Sequence, residues 1–189
     1  PALGKCTLSL LRGGAEVLQL RAKGHSPEDI LTMALALRPI CREAGVPFIV
    51  NDHPDVAIAC EADGLHIGQD DGDFSELREM VGPKMILGRS THSPEQAHQA
   101  YADGFDYIGF GPLFPTPTKL GRPSIGLSEV AKIENSIGQE IPVFCIGGIK
   151  RANLSQVLEA GARRVVIVSD LLTASDPEKA SAHVRQALT

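Results

Sequence analysis

Short apolar runs alternate with amphipathic stretches of helical length along this chain, and no other property of the sequence restricts its fold as much. The apolar runs occupy residues 17–20, 48–50, 65–67, 85–87, 107–110, 143–146 and 165–168. Helical spacing covers 27–44, 55–61, 74–81, 94–102, 127–136, 153–160 and 177–188. Strand and helix taken in turn predict a parallel sheet covered by helices. Ser26-Pro27-Glu28-Asp29 and Ser93-Pro94-Glu95 set a capping hydroxyl before a proline and acids, as helix starts require. Gly45, Gly104 and Gly161 stand where left-handed caps end helices.

Seven strand-then-helix units are one short of a (β/α)8 barrel. The chain opens on Pro1, residues 4–11 read as helix, and Gly13-Gly14 leads directly into the first apolar run. The expected fold is therefore α/β, a (β/α)8 TIM barrel forming one domain over residues 1–189, N-terminally incomplete, with its first strand missing. An open doubly wound sheet ranks second, because no G-x-G-x-x-G follows the first run.

At 189 residues the chain is long enough for one full core. A net charge of -5 without a basic block, and the absence of Trp, give no sign of a nucleic-acid partner. No apolar run approaches the roughly 20 residues that span a bilayer, and no signal peptide is visible. These features predict a cytoplasmic protein with no membrane partner. Cys6, Cys41, Cys60 and Cys145 form no C-x-x-C pair, so reduced, mostly buried thiols are expected rather than a metal site.

In a barrel the chemistry lies at the C-terminal ends of the strands. The first run ends in Gln19-Leu20-Arg21-Ala22-Lys23, and Arg21 and Lys23 share a parity. Two cations at one strand end suit a diphosphate; a solvated surface pair is the competing reading. The next two runs end in Asn51-Asp52 and in Gly68-Gln69-Asp70-Asp71. Neighbouring carboxylates together with phosphate oxygens are a common way to hold Mg²⁺. Alone, Asn51-Asp52 reads more simply as a helix cap or Asx turn before His53-Pro54, and Asp70-Asp71 as an N-terminal cap on the helix from Phe74. The fourth run ends in Gly88-Arg89-Ser90-Thr91-His92, where Ser90 suits a phosphate or a ring nitrogen and His92 reads as a residue before a helix. His66 lies inside a strand and reads as a structural histidine. The fifth run empties into Gly111-Pro112-Leu113-Phe114-Pro115-Thr116-Pro117-Thr118-Lys119, stiff and rich in phosphate-binding groups. Gly147-Gly148 and Val168-Ser169 end the last two runs, where such barrels often bind phosphate through backbone N–H groups. Two anion sites are thus expected, one cationic and metal-linked, one backbone-based.

Taken in order, Gln19-Leu20-Arg21-x-Lys23, Asn51-Asp52, Gly64-x-His66-x-Gly68-Gln69-x-Asp71, Gly88-x-Ser90-x-His92, Asp106-Tyr107-Ile108-Gly109-x-Gly111-Pro112-x-x-x-Thr116-x-Thr118-Lys119, Ile146-Gly147-Gly148-Ile149 and Val168-Ser169 resemble the thiamine-phosphate synthase family from about residue 13 onward. The resemblance implies a (β/α)8 barrel that uses Mg²⁺. It would join 4-amino-2-methyl-5-(diphosphooxymethyl)pyrimidine to a thiazole phosphate, giving thiamine phosphate and pyrophosphate. It also implies that Gln19, Arg21, Lys23, Asn51, Ser90 and Lys119 bind the pyrimidine diphosphate and that Asp52 and Asp71 hold Mg²⁺. Thr116, Pro117, Thr118, Gly148, Val168 and Ser169 would bind the thiazole phosphate. Arg21, Lys23, Ser90 and Lys119 would carry the catalysis. Asp70 is adjacent to the assigned ligand, and a slip of one position would exchange it with Asp71. Family habit and an exposed barrel edge together suggest a homodimer. Alternatives are a thiazole tautomerase-like enzyme, a non-catalytic phosphate-ligand-binding barrel and another phosphosugar barrel enzyme such as an epimerase. The co-occurrence of Arg21, Lys23, Asp52, Asp71 and Lys119 argues against the first and the last.

Overall fold

The computed structural model describes residues 2–115 and 123–189. Helix α1 (Ala2–Arg12) precedes strand β1 (Leu18–Leu20), helix α2 (Pro27–Ala44), β2 (Phe48–Asn51), α3 (Pro54–Ala59), β3 (Gly64–Ile67) and α4 (Phe74–Val81). The chain continues through β4 (Ile86–Thr91), α5 (Pro94–Asp103), β5 (Tyr107–Phe110), α6 (Val130–Asn135), β6 (Val143–Ile146) and α7 (Leu154–Glu159). It closes with β7 (Val165–Val166), α8 (Ser169–Leu172) and α9 (Pro177–Ala187). All neighbouring strands are parallel, and their spatial order is their order in the chain. A doubly wound sheet must reverse its strand order at a switch point. This one never does, so the architecture is the barrel type. Helix α1 packs on α9, where the buried Ser181 Oγ donates to the Leu10 carbonyl at 3.0 Å.

The local signals act as their chemistry requires. Ser26 and Ser93 accept hydrogen bonds from the backbone N–H of Asp29 and Gln96, and each precedes a proline in the first turn. Gly45 and Gly104 end α2 and α5 in the left-handed region, with φ of 67° and 103°. Most expected elements shift by a residue or two at their ends, and three differences bear on the site or the core. The expected fourth strand, 85–87, extends as β4 to Thr91, because that polar run still pairs with β5 and the buried Thr91 hydroxyl donates to the Gly109 carbonyl. The seventh strand is only Val165–Val166, so Val168 is not a strand residue; it caps the short helix α8. Residues 127–129 precede α6 rather than belonging to it.

The register sorts strand side chains into two sets. Phe48, Val50, Leu65, Ile67, Leu87, Ile108, Phe110, Val143 and Cys145 face outward into the helices and form the core with Ala34, Leu37, Val56, Ala97, Ile133 and Val157. The opposite parity points inward and includes Gln19, Ile49, Asn51, His66, Ser90, Tyr107 and Phe144. Space for the larger of these comes from glycines. A Cβ on Gly88 would occupy the Tyr107 ring, and one on Gly109 would touch the His66 ring at 3.4 Å. The four cysteines are free; Cys41, Cys60 and Cys145 are buried, and burial pushes the Cys41 and Cys145 thiols up to about 11 and about 12.

One device at the base of the sheet recurs. Asp63, just before β3, accepts the Phe48 N–H at 2.8 Å and the Arg38 guanidinium at 2.9 Å. Asp106, just before β5, does the same for the Leu87 N–H at 2.8 Å and Arg78 at 2.9 Å. Each carboxylate satisfies the strand N–H that the sheet leaves over and ties the outer helix to it. We expect Asp63→Ala to destabilise the fold by about 1–2 kcal/mol, since a part-buried N–H and a guanidinium lose a charged partner. A urea midpoint equal to that of the parent chain would contradict this.

Candidate functional site

The expected site residues that lie within the described range gather at one end of the sheet. Gln19 is an inward residue of β1, and Arg21, partly exposed, follows two residues later on the same parity. Lys23 reaches across to the next strand end, with its Nζ 3.4 Å from Asp52 Oδ2. Its side chain is 63% exposed and that of Asp52 23%. An ion pair this open is worth no more than about 1 kcal/mol, so both groups are able to exchange this partner for a ligand at low cost.

Asn51 is buried as the last residue of β2. Asp52 follows with a positive φ of 66°, uncommon for a residue with a side chain, and its N–H donates to the His66 carbonyl at 2.9 Å. The turn therefore keeps the strand pairing while aiming the carboxylate toward Lys23. Helix α3 next to it gets no side-chain cap from its N-terminal residue, His53, so the helix-cap reading of Asp52 fails. The corresponding reading of Asp70-Asp71 fails too. The cap of α4 is Asp73, whose carboxylate accepts from Ser75 and the Glu76 N–H, and these bonds hold it below the usual carboxylate range. Asp71 is exposed and turns one oxygen, Oδ2, back to the Gly68 N–H at 2.7 Å. The loop that carries it is fastened to β4 by Arg89, which donates to the carbonyls of Gln69 and Gly72, and by Gln69 Nε2, 2.6 Å from the Ser90 carbonyl.

Asn51 and His66 are register partners on β2 and β3, so Asp52 and the loop starting at Gly68 leave adjacent strands at nearly the same level. Their carboxylates are hard oxygen donors, and Asp52 has the Lys23 ammonium 3.4 Å away. That donor set fits Mg²⁺ as part of a shell completed by phosphate oxygens and water. Among the described residues no three His, Cys, Asp or Glu side chains gather as a metal site by themselves; two carboxylates plus a bound diphosphate need no third.

Ser90 lies within β4, not beyond it, and its hydroxyl is 2.9 Å from His66 Nε2. The other ring nitrogen of His66, Nδ1, is 3.0 Å from the Tyr107 hydroxyl. His66 is buried and satisfied, as the sequence suggested, and it joins Tyr107 to the candidate site residue Ser90. In the sequence Tyr107 stands only as part of a motif, without a site role. It sits in a strand pattern that explains it equally well as core, and the register through Gly88 is what places it beside His66. His92 does stand ahead of α5: its Nδ1 pairs with the Gly111 carbonyl and its N–H donates to Gln96 Oε1 at 2.8 Å.

The second half of the site is built on backbone. After β5 the chain keeps pairing with β6: Leu113 N–H donates to the Ile146 carbonyl at 2.9 Å and Phe114 N–H to the Gly147 carbonyl at 3.0 Å. Gly148 has φ 65°, and a Cβ there would lie 2.7 Å from Phe114 Cβ and 2.9 Å from the Pro115 carbonyl oxygen. Only glycine permits that approach. Asn153 Nδ2 holds the Gly148 carbonyl at 3.0 Å, and Arg151 joins Asp170 at 2.8 Å, linking this loop to α8. The Arg151 guanidinium holds the Asp170 carboxyl below its ordinary range. Val168 and Ser169, both exposed, begin α8. Thr116, Pro117, Thr118 and Lys119 lie outside the described residues.

A family model described as thiamine monophosphate synthase matches residues 2–171. The chain is 46% identical over 178 residues to a thiamine-phosphate synthase of Thermus thermophilus, covering 94% of this chain and 85% of that protein. It is 44% identical over 182 residues to that of Gloeobacter violaceus, covering 96% of this chain but 53% of the relative, about half its length. Among solved structures, a thiamine phosphate pyrophosphorylase from Pyrococcus furiosus superposes with a TM-score of 0.89 at 34% identity, covering all of this chain (100%) and 89% of the other. On the family model, the relatives' identity and the shared barrel architecture together, the chain belongs to the thiamine monophosphate synthase family.

Proposed function

We propose that this chain is a transferase of thiamine biosynthesis that joins an aminopyrimidine methyl diphosphate to a thiazole phosphate, with release of pyrophosphate. The observation that carries the reading is the Lys23–Asp52 ion pair, which joins the ends of β1 and β2 next to the strand from which the Asp71 loop leaves. Arg21 and Lys23, with Lys119, bind and neutralise the diphosphate. Asn51 and Ser90 orient the pyrimidine end, and Gln19 lines the same wall. Asp52 and Asp71 are the residues that would hold Mg²⁺, which when bound adds positive charge at the leaving phosphates.

In the reaction the bond between the pyrimidine methylene carbon and the diphosphate oxygen breaks, and the electron pair leaves on that oxygen. The thiazole nitrogen supplies its lone pair for the new C–N bond. The aminopyrimidine stabilises the developing benzylic-type cation, so no protein nucleophile is required. The work of the protein is to hold charge where it appears on the leaving group. It must also align the thiazole nitrogen and exclude water, which would trap the cation. Thr116, Pro117, Thr118, Gly148, Val168 and Ser169 bind the thiazole phosphate. The Gly148 turn and the start of α8 support this, since loops after the last strands of a barrel and a short extra helix commonly form its phosphate site.

The same reading makes the chain a single-domain barrel acting in the cytoplasm, as a homodimer. Among the described residues no helix is long and apolar enough to cross a membrane. The test is an incubation of the purified chain with both substrates and Mg²⁺, with either substrate omitted as control. Thiamine phosphate, identified by mass, is expected only in the complete mixture; its absence there would overturn the proposal.

A further inference from the structure

Pairing between β6 and β7 stops at Ile146 and Val166, and β7 is only two residues long. Beyond that level both chains leave the sheet. One runs through Gly147 and Gly148, at φ of 100° and 65°; the other runs through Val168, at φ -112° and ψ -84°. The strand ladder therefore no longer sets the distance between these two segments. A carboxylate joins them instead. Asp170 Oδ2 accepts the Arg151 backbone N–H at 3.0 Å and the Arg151 Nε–H at 2.8 Å. Arg151 lies three residues after Gly148, and Asp170 directly follows Ser169. Each side of this bridge is braced within itself. Asn153 Oδ1 accepts the Lys150 N–H at 2.8 Å, and its Nδ2 donates to the Gly148 carbonyl at 3.0 Å. Across the bridge, the Thr173 hydroxyl donates to the Ser169 carbonyl at 2.7 Å.

We propose that Asp170 is a positioning residue for the thiazole phosphate, holding the Gly148 turn and the Val168-Ser169 segment at one separation so that both serve the same phosphate. Asp170 acts through these segments and is assigned no contact with substrate. A carboxylate suits the task because hydrogen bonds to an ionised acceptor are shorter and stronger than neutral ones. Its charge would repel a phosphate nearby, and the Arg151 guanidinium offsets it. One of the two bonds comes from a backbone N–H, which cannot swing away as a side chain can. The side chains of Arg151 and Asp170 are 38% and 20% exposed, so the pair is more sheltered than Lys23 and Asp52. It is therefore less readily exchanged for a ligand, as a fixed spacer should be. The inference rests on the thiazole phosphate binding at these two segments, as proposed above.

The test is steady-state kinetics of the purified chain with Mg²⁺, each substrate varied while the other saturates. Asp170→Ala is expected to raise KM for the thiazole phosphate about 10-fold, part of the roughly 10²-fold that a 1 Å misplacement can cost. KM for the pyrimidine diphosphate and kcat should change little, whereas general damage to the fold would move them as well. Both bonds end on one oxygen, so the single carbonyl oxygen of Asp170→Asn can still accept them. That variant should recover most of the loss. Adding Arg151→Ala to Asp170→Ala should raise KM little further, because the two residues act as one bridge. An unchanged KM in Asp170→Ala, equal rises for both substrates, or an Asp170→Asn no better than Asp170→Ala would overturn the proposal. So would a second rise of the same size on adding Arg151→Ala. If the parent chain makes no thiamine phosphate, the functional reading fails and this assignment falls with it. An active parent beside an unaffected Asp170→Ala overturns the assignment alone.

Discussion

Asp52→Ala and Asp71→Ala are each expected to lower kcat by about 10²–10³-fold, with the fold intact. The magnitude follows from removing one preorganised group that manages charge developing on a leaving group. Neither carboxylate supports the fold in a way that would confuse the result. Asp52 pairs only weakly with an exposed lysine, and its backbone N–H, which an alanine retains, makes the bond to His66. Asp71 is exposed and makes a local bond to Gly68. Neither caps a helix, since α3 has no side-chain cap and α4 is capped by Asp73. Measuring kcat against Mg²⁺ concentration checks the assignment. The variants should need far more Mg²⁺ or fail to respond to it, and parent-like rates at low Mg²⁺ in both would contradict a metal role.

Gly148→Ala is expected to raise KM for the thiazole phosphate about 10²-fold while changing KM for the pyrimidine diphosphate little. The added methyl has no room. It meets the Phe114 side chain and the Pro115 carbonyl, and a residue with a side chain is strained at a φ of 65°. The segment displaced is the one leading into Thr116, and a shift of about 1 Å in a substrate-positioning loop can cost about 10²-fold. Arg21 and Lys23 follow β1, whereas this loop follows β5. Equal rises in both KM values would show that the two substrate sites are not divided as proposed.

Much of this was legible before any coordinates. The alternation of apolar runs and helical stretches located all seven strands, and Ser26, Ser93, Gly45 and Gly104 marked helix ends by their own conformational chemistry. The cations, acids and glycines of the site could be listed because they crowd the strand ends. What could not be read was pairing between strands. β4 runs on to Thr91 through a polar sequence because its N–H and C=O groups find partners on β5, a fact about the neighbour and not about residues 88–91. Val168 looked like strand because it is apolar, yet it opens a helix. Tyr107 stands in the sequence only as part of a motif, and its contact with His66 could not be read there, because the two are 41 residues apart and meet through the level of Gly88 on β4. The caps on α3 and α4 also needed coordinates, and they matter most for function, since they leave Asp52 and Asp71 available.

In the proposed reaction, loss of pyrophosphate and formation of the C–N bond are coupled, because water would trap a cation that the thiazole nitrogen does not meet. The most direct test is to count pyrophosphate released against thiamine phosphate formed by the purified chain in a single time course with Mg²⁺. One pyrophosphate per thiamine phosphate is the predicted result. Pyrophosphate released without thiamine phosphate, or in large excess over it, would contradict the account.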